Sequence, residues 1–146
     1  MSEAARRRWV LAGAILASLA VIGAARALDP DPRGYGTHES LGLPPCGMML
    51  VAGIPCPSCG MTTAFAHASR LQIEESLQAH PCGFLMFASV LVVGVVAMAG
   101  LVGPLSPEQV ESWVIRFPWW KVGIGFFAFL FLIWGYRIAK TLLLTA

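Results

Sequence analysis

Three long apolar runs, each bounded by polar segments, dominate the pattern along the chain. They extend from Trp9 to Leu28, from Gly83 to Gly103, and from about Trp119 to about Lys140. Because about 20 consecutive apolar residues are needed for a helix to cross the hydrocarbon core of a bilayer, we predict a transmembrane helix in each run. The middle run carries no charged residue, which makes its pattern the most typical of a membrane span.

The first run has two interpretations. Three arginines, Arg6 to Arg8, precede it, and a basic cluster before a span holds the N-terminus in the cytoplasm. A cleaved signal peptide is the alternative, because Ala25-Arg26-Ala27 fits a small-x-small cleavage site. We favour a retained anchor, and either interpretation places the following residues outside the cytoplasm.

The segments between the runs differ in character. Residues 29–45 are rich in Pro and Gly with mixed charges, which predicts an exposed loop without regular structure. Ser106-Pro107-Glu108-Gln109 combines an N-cap serine, a proline at the first helical position and a glutamine three residues after the cap, so we predict a short helix over 106–117. The apolar residues of this helix share one face, which indicates that the helix lies in the membrane interface. They are Val110, Trp113, Val114 and Phe117.

The segment from Leu43 to Ser69 decides between three and four crossings. A four-span arrangement moves Arg70, Arg137 and Lys140 into the cytoplasm and so agrees better with the positive-inside rule. Length opposes it, because a helix over 61–69 rises only about 13 Å and prolines interrupt anything longer. We therefore predict an all-α membrane protein with about three transmembrane helices and a short cysteine-bearing hairpin, re-entrant or interfacial. One hairpin helix would follow the cysteines and the second would lie near 71–79.

Composition agrees with a membrane protein and narrows its partners. With a hydrophobic share of 57%, charged residues at 12% and a mean hydropathy of +0.70, the 146-residue chain is too apolar for an ordinary soluble domain. Its net charge of +2 is too small, and its basic residues too scattered, for a nucleic-acid-binding protein. We expect a single membrane domain over residues 1–146 that contacts lipid.

Candidate chemistry is concentrated in Cys56-Pro57-Ser58-Cys59-Gly60. Two residues between the cysteines let both sulfurs face one centre, as in metal-binding knuckles. Pro57 restricts the turn, and we predict a positive φ at Gly60. Cys46 precedes the pair by ten positions, but intervening Gly and Pro residues allow the chain to turn back. We predict that the three sulfurs converge on a single site.

The identity of a fourth ligand and the chemistry of the site stay open. A returning hairpin would bring His80 and Cys82 back to the level of the pair, so a zinc site would use Cys46, Cys56, Cys59 and either Cys82 or His80. An equally weighted alternative is a disulfide or redox pair of Cys56 and Cys59, with Cys46 as a third partner. Inert packing of the cysteines is the weaker alternative.

The neighbouring polar residues have simpler interpretations. Thr62 and Thr63 are most simply packing residues whose hydroxyls bond to nearby carbonyls or to another helix. No acidic residue lies within a helical turn of His67, and a rise of about 12 Å separates it from Cys59. We therefore favour an interfacial or hydrogen-bonded histidine over a metal ligand at this position.

Two stretches of the chain resemble a known family. They are "LGLPPCGMMLVAGIPCPSCGMTTAFAHA" and "LQAHPCGFLMF", and they are similar to the bacterial membrane proteins catalogued as domain of unknown function 2752. That family has a first Cys, about nine residues, Cys-Pro-x-Cys-Gly-x-Thr, a short helix and an x-Pro dipeptide before a span. The matching positions in this chain are Cys46, Cys56, Pro57, Cys59, Gly60, Thr62 and Pro81. Thr63 departs from the pattern, because many members carry Arg there, and Cys82 is not part of it.

The resemblance implies a bacterial protein and no particular reaction. We expect a non-enzymatic integral protein of the bacterial inner (cell) membrane, with its N-terminus in the cytoplasm. Its cysteine cluster would be a structural zinc or disulfide site that supports contact with a protein partner or a second copy of the chain. A membrane thiol–disulfide redox component is the alternative. A small transporter has less support, because no intramembrane carboxylate marks a substrate path.

Overall fold

All regular structure in the computed structural model, which describes residues 2–103 and 105–145, is helical. This confirms the all-α prediction. The elements follow one another in the order α1 (Glu3–Ala27), a 3₁₀ helix (Thr37–Leu41), α2 (Gly47–Ala52), α3 (Met61–Ala68), α4 (Ile73–Ala79), α5 (Pro81–Val102), α6 (Pro107–Arg116) and α7 (Trp119–Thr145).

Helices α1, α5 and α7 are long and apolar enough to cross a membrane. Two of them are longer than the apolar runs that predict them: α1 already begins at Glu3 and includes the three arginines, and α7 continues past Lys140. Arg and Lys are good helix formers, so a helix does not end where its apolar run ends. Many large apolar side chains on these helices are exposed, which suits a surface that faces lipid.

The described residues form two compact units, of which the first comprises Met1–Ala24 and Met86–Pro118. Leu11, Ala97 and Val110 form its buried core, so α1, α5 and α6 all contribute to it. Small residues permit the close approach of α1 and α5, because a Cβ added at Gly94 would lie 3.1 Å from the Cβ of Ser18. Such close packing of small residues is typical of helices that associate within a membrane.

Helix α6 begins as its sequence predicts. Ser106 Oγ accepts a hydrogen bond from the backbone N–H of Gln109 at 3.2 Å, and Gln109 Oε1 accepts one from the backbone N–H of Ser106 at 2.8 Å. These reciprocal bonds form a capping box. Ion pairs from Arg7 to Glu108 at 3.0 Å and to Glu111 at 2.5 Å then join the N-terminal parts of α1 and α6.

The second unit comprises Ala25–Leu85 and Trp119–Ala146 and contains the predicted helical hairpin. Helices α3 and α4 pack through small residues: Ala64 is fully buried, and its carbonyl accepts a hydrogen bond of 2.8 Å from the hydroxyl of buried Ser76. Leu71, in the turn between them, has a φ of 62°. The hairpin prediction is therefore confirmed.

Arg70 ties the hairpin to the end of α1. Its guanidinium donates to the carbonyl of Arg26 and to the carboxylate of Asp29, both at 3.1 Å. The chain that leaves α1 thus returns to the same end of that helix at residue 70. Helix α3 has eight residues and rises about 12 Å, far less than the roughly 30 Å of a bilayer core. None of the helices described between α1 and α5 is long enough to cross a membrane.

Residues 29–45 differ from the prediction of an unstructured loop. They contain the 3₁₀ helix, which Gly36 and Gly42 bracket with φ values of 95° and 77°. Arg33 pairs with Asp31 at 2.7 Å and with Glu39 at 3.0 Å, and its hydrogen bond to Asp31 lowers the pKa of that carboxyl below its ordinary value. Glycines and charged residues are typical of exposed loops, but here they form a compact turn.

Candidate thiolate metal centre

The short helix α2 reverses the chain between Cys46 and the Cys-x-x-Cys pair. Cys46 precedes the first turn of α2 as its N-cap, and its carbonyl accepts from the backbone N–H of Leu50 at 3.0 Å. Gly53 ends the helix in the left-handed conformation with a φ of 67° and donates to the carbonyl of Met49. Since an L side chain disfavours this conformation, glycine suits the reversal that carries the chain back.

A tight turn then positions the two remaining cysteines. The backbone N–H of Cys59 donates to the carbonyl of Cys56 at 3.0 Å, and the N–H of Met61 donates to the carbonyl of Ser58 at the same distance. Gly60 follows with a φ of 91° and begins α3 as its N-cap. The predicted positive φ at Gly60 is confirmed.

The three sulfurs of Cys46, Cys56 and Cys59 converge, and all lie within 4.8 Å of one another. This confirms the convergence that the Gly and Pro positions predict. Cys59 is buried, whereas Cys46 and Cys56 are half-buried, and all three are free thiols. We call this group the cysteine triad. Thiolates at this spacing have the donor chemistry that Zn²⁺ and other soft metals prefer.

The electrostatics of the triad are asymmetric. Burial, together with the negative charges of Cys56 and Cys46, raises the pKa of Cys59 to about 11, although Arg137 opposes the shift. Hydrogen bonds from backbone N–H groups, that of Met49 first, lower the pKa of Cys46. Three thiols so close together disfavour full ionisation unless a cation compensates their charge.

Two side chains of α7 contact the cysteine turn. Arg137 donates to the carbonyl of Cys59, and the indole N–H of Trp134 donates to the carbonyl of Pro55, each at 2.7 Å. In the sequence, both residues lie near the end of the third apolar run, where Trp and Arg are typical interfacial anchors of a span. Their spacing of three positions places them on one helical face, which is the signal that could have suggested a shared contact.

The two candidates for a fourth ligand do not join the triad. Among the described residues, no fourth His, Cys, Asp or Glu belongs to the group. Cys82 is fully buried in the first turn of α5. His80 is buried and uses both ring nitrogens, since Nε2 lies 2.9 Å from the carbonyl of Pro57 and Nδ1 accepts from the N–H of Gly83 at 3.2 Å. Of the four zinc ligands predicted from the sequence, the structure therefore brings together only the three of the triad.

His80 predicts a pH dependence of stability. Burial lowers its pKa from the ordinary 6.5, so the unfolded chain binds this proton more tightly than the folded one. The stability that the neutral imidazole contributes is present above about pH 6.5 and is lost as the pH falls through the lower folded value. We expect the thermal midpoint of metal-free protein in detergent to fall between about pH 7 and pH 5, and His80→Gln to reduce that slope. If the thermal midpoint of the variant depended on pH as strongly as that of the wild type, groups other than His80 would cause the dependence.

The other predicted residues have structural roles. Buried Thr63 shares a hydrogen bond of 2.8 Å with the hydroxyl of Thr37, as the packing interpretation predicts. His67 is hydrogen-bonded through Nδ1 to Oε1 of Gln72 at 2.8 Å. Pro81 begins α5. Proline costs no helical hydrogen bond at this position, because a backbone N–H there would have no partner within the helix. Thr62 lies in the first turn of α3, next to Thr63.

A family model matches one part of the chain. Residues 46–94 match the family described as protein of unknown function (DUF2752), which confirms the resemblance. The matched range begins at the first cysteine of the triad, includes both hairpin helices and ends within α5. No curated protein and no solved structure matches the chain. The family description states no activity, so a function has to be argued from the site.

Proposed function

Starting from the family match and the geometry of the triad, we propose that this chain is a membrane protein whose three cysteines bind a zinc ion. The ion organises the cysteine element, residues 46–82, for contact with a protein partner. The observation that carries this proposal is the convergence of three sulfurs within 4.8 Å of one another. A disulfide would join only two of these sulfurs, whereas a metal ion would bind all three.

Zinc would stabilise a segment that has little core of its own. Helix α2 contains no buried residue, and the glycines on either side of it, Gly42 and Gly53, raise the entropy of the unfolded chain. A metal that joins Cys46 to the Cys56–Cys59 turn closes this loop, and its binding free energy then contributes to folding. The site would therefore be structural.

The partner surface that we propose includes α2 and the residues before it. Leu50 is 70% exposed and Val51 is 91% exposed, and Leu41 and Leu43 are also exposed. Exposed apolar side chains of this kind mark contact with another protein or with lipid. A protein partner or a second copy of the chain would cover them.

The positive-inside rule supports the orientation that we propose. Arg6 to Arg8 hold the N-terminal end of α1 in the cytoplasm, so the other end of α1 lies outside. Arg70 joins that outer end, and the cysteine element lies on the same side. We propose the bacterial inner membrane as the location, with the triad on its oxidising face.

A redox component is the second candidate, and the unequal thiols favour it. The pKa of half-buried Cys46 is lowered, whereas that of buried Cys59 is raised to about 11. An accessible thiolate beside a second and a third thiol is the arrangement that thiol–disulfide exchange requires. In this role the Cys46 thiolate would attack a substrate disulfide and release one substrate thiolate, and Cys56 or Cys59 would resolve the mixed disulfide by releasing the second substrate thiolate.

Metal content distinguishes the two candidates. We expect protein purified in detergent without chelator to contain zinc, as measured by elemental mass spectrometry. Changes outside the direct ligands of a metal site already cost about 10- to 100-fold in affinity, so Cys46→Ser and Cys56→Ser should each weaken zinc binding at least about 100-fold.

Cys82→Ala is the matched control, because it removes a cysteine that lies outside the triad, and it should retain zinc. Zinc-free wild-type protein would contradict the metal proposal. If Cys56→Ser or Cys59→Ser also trapped a mixed disulfide that a reductant releases on a gel, the redox candidate would replace it.

A further inference from the structure

The triad offers a metal ion three protein ligands and leaves one coordination position open. Zinc in proteins is almost always four-coordinate. Structural sites have four protein ligands, whereas sites with three protein ligands hold water or an external molecule at the fourth position. Among residues 2–103 and 105–145, the group contains three cysteines and no further His, Cys, Asp or Glu.

The nearest alternatives within the chain are occupied elsewhere. A metal bond to His80 would cost the hydrogen bond to Pro57 or the one to Gly83, which together fix the imidazole between the cysteine turn and the start of α5. Cys82 is fully buried in α5, and its sulfur lies outside the group. Recruiting either side chain would require the helical hairpin or α5 to move.

Burial defines the open side of the triad. Cys59 is 4% exposed, and the Arg137 side chain of α7 covers its carbonyl. Cys46 and Cys56 remain half-buried. The covered side is therefore the side of Cys59, and an external donor approaches between the two other cysteines.

Charge selects the kind of donor. Three thiolates exceed the charge of a divalent ion by one negative charge, which the guanidinium of Arg137 beside Cys59 offsets. A fourth thiolate or a carboxylate would leave an uncompensated negative charge near lipid, which is costly. A neutral donor, which is a water molecule or an imidazole nitrogen, keeps the site balanced, and three cysteines with one histidine form a common structural zinc set.

From these observations we infer that the fourth ligand is a neutral nitrogen donor from outside the chain, the imidazole of a histidine in a partner protein. This inference rests on the proposed zinc site and identifies the chemistry of its partner. Zinc would then form part of the protein–protein contact and would not be enclosed by this chain.

Cobalt substitution tests the inference. Wild-type, Cys82→Ala and His80→Gln proteins in detergent are loaded with Co²⁺ in a non-coordinating buffer. The thiolate-to-cobalt charge-transfer band reports the number of thiolates, and the visible bands report the fourth donor. We expect the same spectra for all three proteins, and added imidazole should shift the visible bands without weakening the charge-transfer band.

Three outcomes would overturn the inference. A weaker charge-transfer band in Cys82→Ala, or altered visible bands in His80→Gln, would show that the chain closes its own site. Visible bands that do not respond to imidazole would exclude an open position for nitrogen. Failure of wild-type protein to bind Co²⁺ or Zn²⁺ at all is a separate result, because it would overturn the proposed zinc site itself.

Discussion

Replacing Gly60 with alanine is expected to destabilise the cysteine element more than the same change at Gly47 or Gly53. A Cβ at this position would lie 2.7 Å from the carbonyl oxygen of Ala79 and 2.7 Å from that of Gly34, and the φ of 91° is unfavourable for alanine. Conformational strain of about 1–2 kcal/mol and overpacking of about 1–3 kcal/mol add to a loss of about 2–5 kcal/mol. Thermal unfolding in detergent measures the loss.

Gly53→Ala provides the matched control. Gly53 also has a positive φ, of 67°, but a Cβ there meets nothing within 4 Å. This variant should show the conformational strain without the overpacking, and buried Cys59 should stay protected from alkylation. Equal losses in the two variants would show that the carbonyls of Ala79 and Gly34 do not enclose Gly60.

Replacing Arg70 with methionine is expected to release the hairpin from α1. The guanidinium donates to the carbonyls of Ala66 at 3.0 Å and Arg26 at 3.1 Å, and more distantly to that of Ala25 at 3.5 Å. Its side chain is 19% exposed, so water replaces these bonds only in part. Hydrogen bonds from charged donors contribute about 1.5–3 kcal/mol each, and we expect a loss of about 2–4 kcal/mol in detergent unfolding.

Two further variants separate the contributions at Arg70. Asp29→Asn removes the ion pair, but the Asp29 side chain is fully exposed, so its loss should be small. Arg26→Met removes one long bond of 3.4 Å to the carbonyl of Ser69 and should also have a small effect. If Asp29→Asn were as destabilising as Arg70→Met, the ion pair and not the carbonyl contacts would hold the hairpin.

The Arg70 contacts also bear on the fate of the first apolar run. Cleavage after Ala27 would remove the carbonyls of Ala25 and Arg26 and leave a largely buried guanidinium without two of its acceptors. The contacts therefore favour a retained anchor over a signal peptide. The intact mass of the purified protein measures this directly.

Local chemistry predicts the three long helices, the hairpin helices and α6, but it does not predict the 3₁₀ helix or α2. Each apolar run is long enough to cross a bilayer by itself, and the capping box at Ser106 involves residues three positions apart. The positive φ of Gly60 follows from its place after a tight cysteine turn. Even the convergence of Cys46 with Cys56 and Cys59 depends on Gly and Pro residues within a short stretch.

Contacts between distant residues depend on the tertiary structure. Arg137 lies 78 positions from the Cys59 carbonyl that it contacts, and as an interfacial arginine it would satisfy the same sequence pattern without that contact. The Thr37–Thr63 bond joins the 3₁₀ helix to α3 across 26 positions, so the loop pattern alone does not predict it. His80 likewise binds other partners with both ring nitrogens, because the hairpin returns the chain beside Pro57 and Gly83. Three cysteines therefore remain in place of four ligands.

Local patterns determine where helices form, because their hydrogen bonds lie within one segment. Which side chains meet at the site depends on the packing of those helices against one another.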